Sequence, residues 1–100
     1  MHVISIKKLK QFWHSHLTAE RSLRYWYKTT TEHQWLCFND VYQTFPSADQ
    51  VKNFVVFNIG GNNFRLITYI DYKRNKVFIR DVLTHAEYDK DNWKKDDWYQ

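Results

Sequence analysis

Three residues near the ends of apolar, strand-like stretches carry the functional groups that phosphate chemistry requires. Arg65 lies just after a Gly-Gly turn, and His85 and Tyr88 lie just after the apolar stretch 76–84. An imidazole can move a proton at neutral pH, which typically accelerates a reaction by about 10²–10⁴-fold. A guanidinium can hold a phosphate through paired hydrogen bonds, and a phenol ring can stack on a base. Brought together, these residue types favour metal-independent attack of a ribose 2′-hydroxyl on its own phosphodiester.

Register arguments predict that these residues meet. Two strands joined by a turn at 72–75 place position 65 opposite positions 81–84, and hence Arg65 near His85. The structural alternative is that Arg65 and Arg80 pair with nearby carboxylates on the sheet surface, where ion pairs contribute little. A histidine at a strand end is also more often an ordinary surface residue. Both interpretations remain open at the level of the sequence.

The elements that position these residues follow from the spacing of apolar side chains. Apolar residues at three- and four-residue spacing predict two amphipathic helices before residue 33, and Asp40 can begin one further helical turn. Stretches rich in Val, Ile, Phe and Tyr, separated by short turns that tolerate positive φ, predict an antiparallel meander. The predicted strands are 51–59, 63–71 and 76–84. The expected fold is α+β with two layers, in which two N-terminal helices cover one face of a three-stranded antiparallel sheet and leave the other face free for a ligand.

One hundred residues with 43% apolar content fit a single domain. We expect this domain to span 1–100, with a helical part at 1–33, the antiparallel sheet at 51–85 and a charged tail at 89–100. Within the tail, Trp93 is expected to fold back onto the sheet.

The distribution of charge favours a polyanionic partner. The net charge is +4 and the pI is about 9.2. Residues 1–28 and 52–80 each carry a net charge of +5, whereas residues 29–51 and 81–100 each carry a net charge of −3. Basic charge concentrated in a helical half and a sheet is typical of nucleic-acid binders. The predicted RNA-binding residues are Arg80, Lys76, Arg74 and Asn62.

Several other classes of site are excluded by residue type and spacing. Cys37 is the single cysteine, so no internal disulfide can form, and a cytoplasmic, reducing compartment is expected. No apolar run approaches the length of a membrane span and no signal-peptide pattern is present, so no membrane association is expected. His14 and His16 are two residues apart on a predicted helix, which argues against a metal pair. No phosphate-cradling glycine motif occurs, and no metal or small-molecule cofactor is expected.

Three segments carry a resemblance to a known family: FNIGGN at 57–62, FRL at 64–66 and THAEYD at 84–89. With them, the chain resembles the HigB-type toxins of bacterial type II toxin–antitoxin modules, within the RelE/ParE-like superfamily, over most of its length. The resemblance implies a RelE-like fold and a ribosome-dependent mRNA endonuclease. It also implies a helix-turn-helix antitoxin of the HigA type that neutralises the toxin and represses the operon. Arg65 would be the family's strand arginine, and His85 with Tyr88 its C-terminal active-site cluster, while Arg80 and Lys76 match less specifically.

Two other functions fit the same residues. A non-catalytic basic module could bind ribosomal RNA or a protein partner without cleaving anything. Toxins that poison DNA gyrase share this scaffold, and a common fold does not establish a common chemistry.

Overall fold

A five-stranded mixed sheet forms the centre of the molecule in the computed structural model, which describes residues 1–100. The strands are β1 (His2–Ile4), β2 (Asp49–Val51), β3 (Phe54–Ile59), β4 (Phe64–Asp71) and β5 (Lys76–Thr84). The helices are α1 (Ile6–Ser15), α2 (Glu20–Glu32), α3 (Phe38–Thr44) and α4 (His85–Asp89), with 3-10 turns at Leu17–Ala19 and Asn92–Lys95. The sheet order is β1-β5-β4-β3-β2. The expected α+β class is therefore confirmed.

The antiparallel meander β3–β4–β5 is present as predicted. Gly60 and Gly61, at φ 61° and 67°, make the turn between β3 and β4, in a backbone region that side chains other than glycine rarely adopt. Asn75, at φ 55°, lies in the turn between β4 and β5. The two turns consequently lie at opposite ends of the sheet, which decides which predicted site residues can meet.

The prediction of three antiparallel strands was incomplete, because two short edge strands were missed. β1 pairs in parallel with β5, with His2 opposite Lys76. A strand of three residues that is held by distant backbone hydrogen bonds has no local periodicity to reveal it. The predicted strand 51–59 is also divided: Lys52 adopts φ 53°, and the chain turns there so that β2 pairs back onto β3.

Helices α1 and α2 cover one face of the sheet, as expected. Leu9 and Trp13 of α1 and Leu23 and Trp26 of α2 are almost completely buried. Because apolar residues in a strand alternate between faces, every second residue of the meander meets these helices. The partners on the sheet include Val55, Phe57, Leu66, Val77 and Ile79. None of the helices combines the length and apolar composition needed to cross a bilayer.

The opposite face of the sheet is not left free, contrary to the prediction. The segment of residues 92–100 folds back across it, as expected for Trp93, which is only 6% exposed. Trp93 packs in a second apolar cluster with Phe54, Val56 and Ile67. The Asp and Lys residues of this segment predict that it is largely solvated. Its aromatic side chains nevertheless cover apolar strand residues.

A register shift in the sheet re-aims Arg80 toward the 92–100 segment. Ile67 lies opposite Asp81 and Thr68 opposite Ile79, so Arg80 has no partner on β4. Such a bulge changes the direction of a side chain. The Arg80 guanidinium donates two hydrogen bonds of 2.8 Å to the carboxylate of Asp96. It also lies 3.8 Å from the ring centre of Trp98.

The Asp96–Arg80 contact predicts a pH-dependent stability. Hydrogen bonds from Arg80 hold the pKa of Asp96 below its usual range. A carboxyl whose pKa is lower in the folded state stabilises the fold above its unfolded pKa, about 3.9, and loses that contribution as the pH falls through the folded value. We expect Asp96→Asn to lower the free energy of unfolding at pH 7, and the difference from wild type to shrink below about pH 4. Urea unfolding across this pH range measures it.

The exposed neighbour Asp97 provides the control, because it takes part in no ion pair of the structure. Asp97→Asn removes the same formal charge without removing an arginine contact. A difference for Asp96→Asn that is as large at pH 3 as at pH 7 would contradict the prediction.

Candidate active site

Arg65 lies in the middle strand of the meander, at the end next to the glycine turn. It is 8% exposed and sits opposite Asn58 on β3 and Leu83 on β5, so the predicted register is confirmed. Its guanidinium donates hydrogen bonds of 3.1 Å to the carbonyl oxygens of Asn62 and Phe64, and a third to the side-chain oxygen of Asn62. All of these acceptors are neutral.

Arg65 consequently holds a nearly buried positive charge without a carboxylate partner. None of the ion pairs in the structure includes it. Burial of a charge is costly unless it is paired or fully hydrogen-bonded. The hairpin carbonyls satisfy part of the guanidinium's five N–H donors and leave capacity for an anion. Asn62 orients Arg65, and its predicted contact with RNA stays a prediction.

His85 is the first residue of α4 and is tied to the same hairpin. Its backbone N–H donates to the carbonyl oxygen of Asn63 at 2.9 Å. Its ring nitrogen Nδ1 lies 3.1 Å from the Asp89 carboxylate, and 43% of the side chain is exposed. Because the carboxylate accepts from Nδ1–H, the neutral ring carries its lone pair on Nε2. The histidine is thus oriented by a carboxylate, in the manner of a general base.

Tyr88 follows His85 by three residues on α4, and its ring faces the Arg65 guanidinium. Its ring centre lies 5.4 Å from the Arg65 guanidinium carbon, and it stacks on Trp93 at 5.1 Å. Burial raises the pKa of Tyr88, and the nearby Asp49 carboxylate acts in the same direction while Arg65 opposes it. The phenol therefore stays protonated at neutral pH. It can donate a hydrogen bond or stack on a base, but it is not a phenolate.

Thr84 and Glu87 have a structural role at the start of α4. The Thr84 hydroxyl accepts from the backbone N–H of Glu87 at 3.2 Å, and the Glu87 carboxylate accepts from the backbone N–H of Thr84 at 2.9 Å. This reciprocal capping box satisfies two backbone donors that a helix start otherwise leaves unpaired. The hydrogen bonds from Thr84 also hold the pKa of Glu87 below its usual range. The cap fixes the point at which β5 turns into α4.

Loss of this cap should destabilise the helix that carries the site. We expect Thr84→Ala to lower the free energy of unfolding by about 1 kcal/mol, since the hydroxyl no longer accepts from Glu87. Chemical denaturation measures the change. Thr84→Ser keeps the hydroxyl and is the matched control. Equal losses for alanine and serine would show that the methyl group matters and the cap does not.

The remaining predicted RNA-binding residues are separated from this cluster. Lys76 lies opposite Asp71 at the far end of β5 from His85. Arg74, in the adjoining turn, forms an exposed ion pair of 2.9 Å with Asp71. Arg80 is occupied by Asp96 and Trp98. Their contact with RNA stays a prediction, but Lys76 and Arg74 cannot share one phosphate with Arg65, because strands rise about 3.3 Å per residue.

Two acidic residues of the site were missed by the sequence analysis. Asp89 orients His85, and their spacing of four residues on a helix could have indicated the pair. Asp49, on β2, influences Tyr88 across the sheet, and no local pattern reveals that. The largest groove, of about 560 Å³, lies elsewhere, between α1 and the outer edge of β5. It is lined by Lys8, Gln11, Phe12, Ser15, His16, Arg80, Asp81 and Val82, and includes no member of the Arg65 cluster.

Comparison with known families decides the class of the protein. The family model described as "HigB_toxin, RelE-like toxic component of a toxin-antitoxin system" matches residues 19–91. The chain belongs to the HigB toxin family. The matched HigB region contains Arg65, His85 and Tyr88, whereas α1 and the 92–100 segment lie outside it.

Individual HigB relatives give the same result. The chain is 29% identical over 93 residues to the mRNA interferase HigB of Escherichia coli O6:H1 strain CFT073, and the alignment covers 90% of each chain. It is 44% identical over 48 residues to the mRNA interferase toxin HigB of Escherichia coli K12. That second match spans 45% of this chain and 46% of the relative, so it is a strong but partial likeness.

Proposed function

We propose that this HigB-family toxin is an mRNA interferase, an RNA endonuclease that stops translation by cutting mRNA in the cytoplasm. The observation that carries the proposal is the nearly buried, carboxylate-free guanidinium of Arg65 on β4. Two residues before it, the carbonyl oxygen of Asn63 accepts the backbone N–H of His85, whose ring is oriented by Asp89. The names of its relatives support the same activity. The ribosome is the proposed site of action, and a HigA-type helix-turn-helix protein the proposed antitoxin.

The proposed reaction uses the ribose 2′-hydroxyl as the nucleophile. His85 Nε2 accepts the proton of this hydroxyl as its oxygen attacks the phosphorus, and the bond from phosphorus to the 5′-oxygen breaks. The products are a 2′,3′-cyclic phosphate and a 5′-hydroxyl, whose proton comes from the imidazolium or from water. The reaction requires proton transfer by a positioned imidazole. It requires no metal ion.

Arg65 stabilises the negative charge of the transition state. Negative charge accumulates on the non-bridging oxygens of the phosphorane, and a preorganised guanidinium stabilises it without reorganising. Asn62 and the carbonyl oxygen of Phe64 hold the guanidinium in place before the substrate arrives. Tyr88, kept protonated, offers a hydrogen bond or a stacking surface to the nucleotide beside the scissile bond.

Transcript mapping in a bacterial host tests the proposal. Wild-type toxin and the double variant His85→Ala/Arg65→Ala are induced with and without a co-expressed antitoxin, and transcript 5′ ends are sequenced. New ends bearing 5′-hydroxyls should appear with the wild type alone and disappear with the antitoxin. Growth arrest with intact transcripts would refute the nuclease and favour a non-catalytic RNA-binding module. Arrest with DNA damage would instead indicate a gyrase poison.

A further inference from the structure

A second cluster of cationic and aromatic residues lies on the face of the sheet opposite α1 and α2. Arg80 and Phe78 of β5 and Tyr69 of β4 form it, and the ring centres of Tyr69 and Phe78 are 6.3 Å apart. Arginine beside exposed aromatic rings on a sheet is the combination with which proteins hold single-stranded nucleic acid, because rings stack on bases and guanidinium groups bind phosphates. In this structure the cluster is covered by the 92–100 segment.

The covering residues occupy the cluster in the way that a nucleotide would. The Asp96 carboxylate accepts two hydrogen bonds of 2.8 Å from the Arg80 guanidinium, which is the bidentate arrangement that phosphate oxygens also adopt. The Trp98 indole lies with its face over the same guanidinium at 3.8 Å. Its ring is nearly perpendicular to those of Tyr69 and Phe78, with ring centres 5.5 Å and 5.3 Å away. An anion and a flat heteroaromatic ring are thus held side by side.

The two tryptophans of the 92–100 segment differ in how deeply they are buried. Trp93 is 6% exposed, whereas Trp98 is 38% exposed. Trp93 and Tyr99 pack on Phe54, on the other side of the sheet face from Arg80. Opening at Trp98 therefore uncovers Arg80 and its aromatic neighbours while Trp93 stays in the second apolar cluster.

We propose that Arg80, Tyr69 and Phe78 form a nucleotide-binding subsite for single-stranded RNA, which Asp96 and Trp98 occupy as a built-in mimic until RNA displaces them. The choice of RNA as the ligand rests on the proposed function. Arg65 and Tyr69 are four residues apart on β4, so the subsite lies on the same sheet face as Arg65. When RNA binds, a base replaces the stacked Trp98 ring and a phosphate replaces the Asp96 carboxylate. Because these residues compete with RNA, they lower the affinity of the protein for RNA.

Competition binding tests this subsite without requiring cleavage. The probe is a fluorescein-labelled single-stranded RNA of about eight nucleotides with 2′-O-methyl riboses, which no 2′-hydroxyl mechanism can cut. The full-length double variant Asp96→Asn/Trp98→Ala is expected to bind this RNA about tenfold more tightly than wild type, because the stacked ring and the anion no longer compete. Adding Arg80→Gln should remove the gain. Circular dichroism verifies that each variant is folded.

Asp97→Asn separates competition from net charge. This substitution removes one negative charge from the neighbouring residue but leaves Arg80 covered. Its effect on the affinity for the RNA probe should be small. Unchanged affinity of the double variant, a gain equal to that of Asp97→Asn, or a gain that survives Arg80→Gln would each overturn the proposal.

A measurement on the wild type makes the test independent of substitutions. At saturating RNA, the indole N–H resonance of Trp98 should move as the ring leaves Arg80, while that of Trp93 stays in place. A Trp98 resonance that does not move with RNA bound would overturn the proposal. Because the probe is uncleavable, these outcomes are distinct from failure of the proposed nuclease, which appears only as missing transcript ends.

Discussion

Replacing His85 with alanine is expected to lower the rate of RNA cleavage by about 10²–10⁴-fold, the usual contribution of a general base or acid. The residue has what this role requires. Its Nδ1 is engaged by Asp89 at 3.1 Å, its Nε2 is free, and the side chain is accessible. Single-turnover cleavage of a short RNA, with ribosomes added if they are needed, measures the rate.

Two further variants separate proton transfer from a loss of structure. His14→Ala removes an exposed imidazole from α1 and should leave the rate unchanged. Asp89→Asn keeps His85 but weakens its orientation, so it should reduce the rate by less than His85→Ala. A His85→Ala enzyme that cleaves at the wild-type rate would remove the histidine from the mechanism.

Replacing Arg65 with lysine is expected to lower cleavage by about 10²–10³-fold, although the positive charge is retained. A single ammonium cannot present paired N–H groups to a phosphorane and also bond to the hairpin carbonyls, so the charge loses its fixed position. The same experiment measures stability. We expect a loss of about 1–3 kcal/mol in the free energy of unfolding, because the buried carbonyl oxygen of Phe64 and the partly buried one of Asn62 lose their donor.

The two effects of Arg65→Lys can be distinguished by temperature. If the defect in cleavage came only from unfolding, it would disappear well below the melting temperature of the variant, whereas lost transition-state binding persists there. Arg21→Lys, an exposed change on α2, should affect neither quantity. Full activity of Arg65→Lys at low temperature would reduce Arg65 to a residue that stabilises the hairpin.

The sequence predicted the part of the fold that local patterns encode. Strands β3 to β5 have alternating apolar residues and turn residues between them, and turn length sets register, so the position of Arg65 opposite Leu83 could be derived. The same argument predicted Arg65 near His85, whereas the contact seen in the structure is with Tyr88, three residues further along α4. These contacts depend on neighbours along the chain or across one hairpin.

The features that were missed depend on distant partners. β1 is a strand only because Lys76–Phe78 accept it as a neighbour. The second face of the sheet is covered by aromatic residues of the 92–100 segment. The composition of this segment, rich in Asp and Lys, predicted that it is exposed to solvent. The bidentate contact between Arg80 and Asp96 follows from a bulge, and bulges have no signature in a single sequence. Asp89, by contrast, was visible in the helical spacing and was overlooked.

The parallel pairing of β1 with β5 sets the time at which this toxin can become complete. His2 is synthesised 74 residues before its partner on the sheet, Lys76. Contacts between distant parts of a chain form late, because closure of the long intervening loop costs entropy. A nascent chain therefore keeps its first strand unpaired, and the sheet beneath the active-site cluster unfinished, until β5 has emerged. The growing polypeptide therefore cannot present a finished active-site cluster before the codons of β5 have been translated.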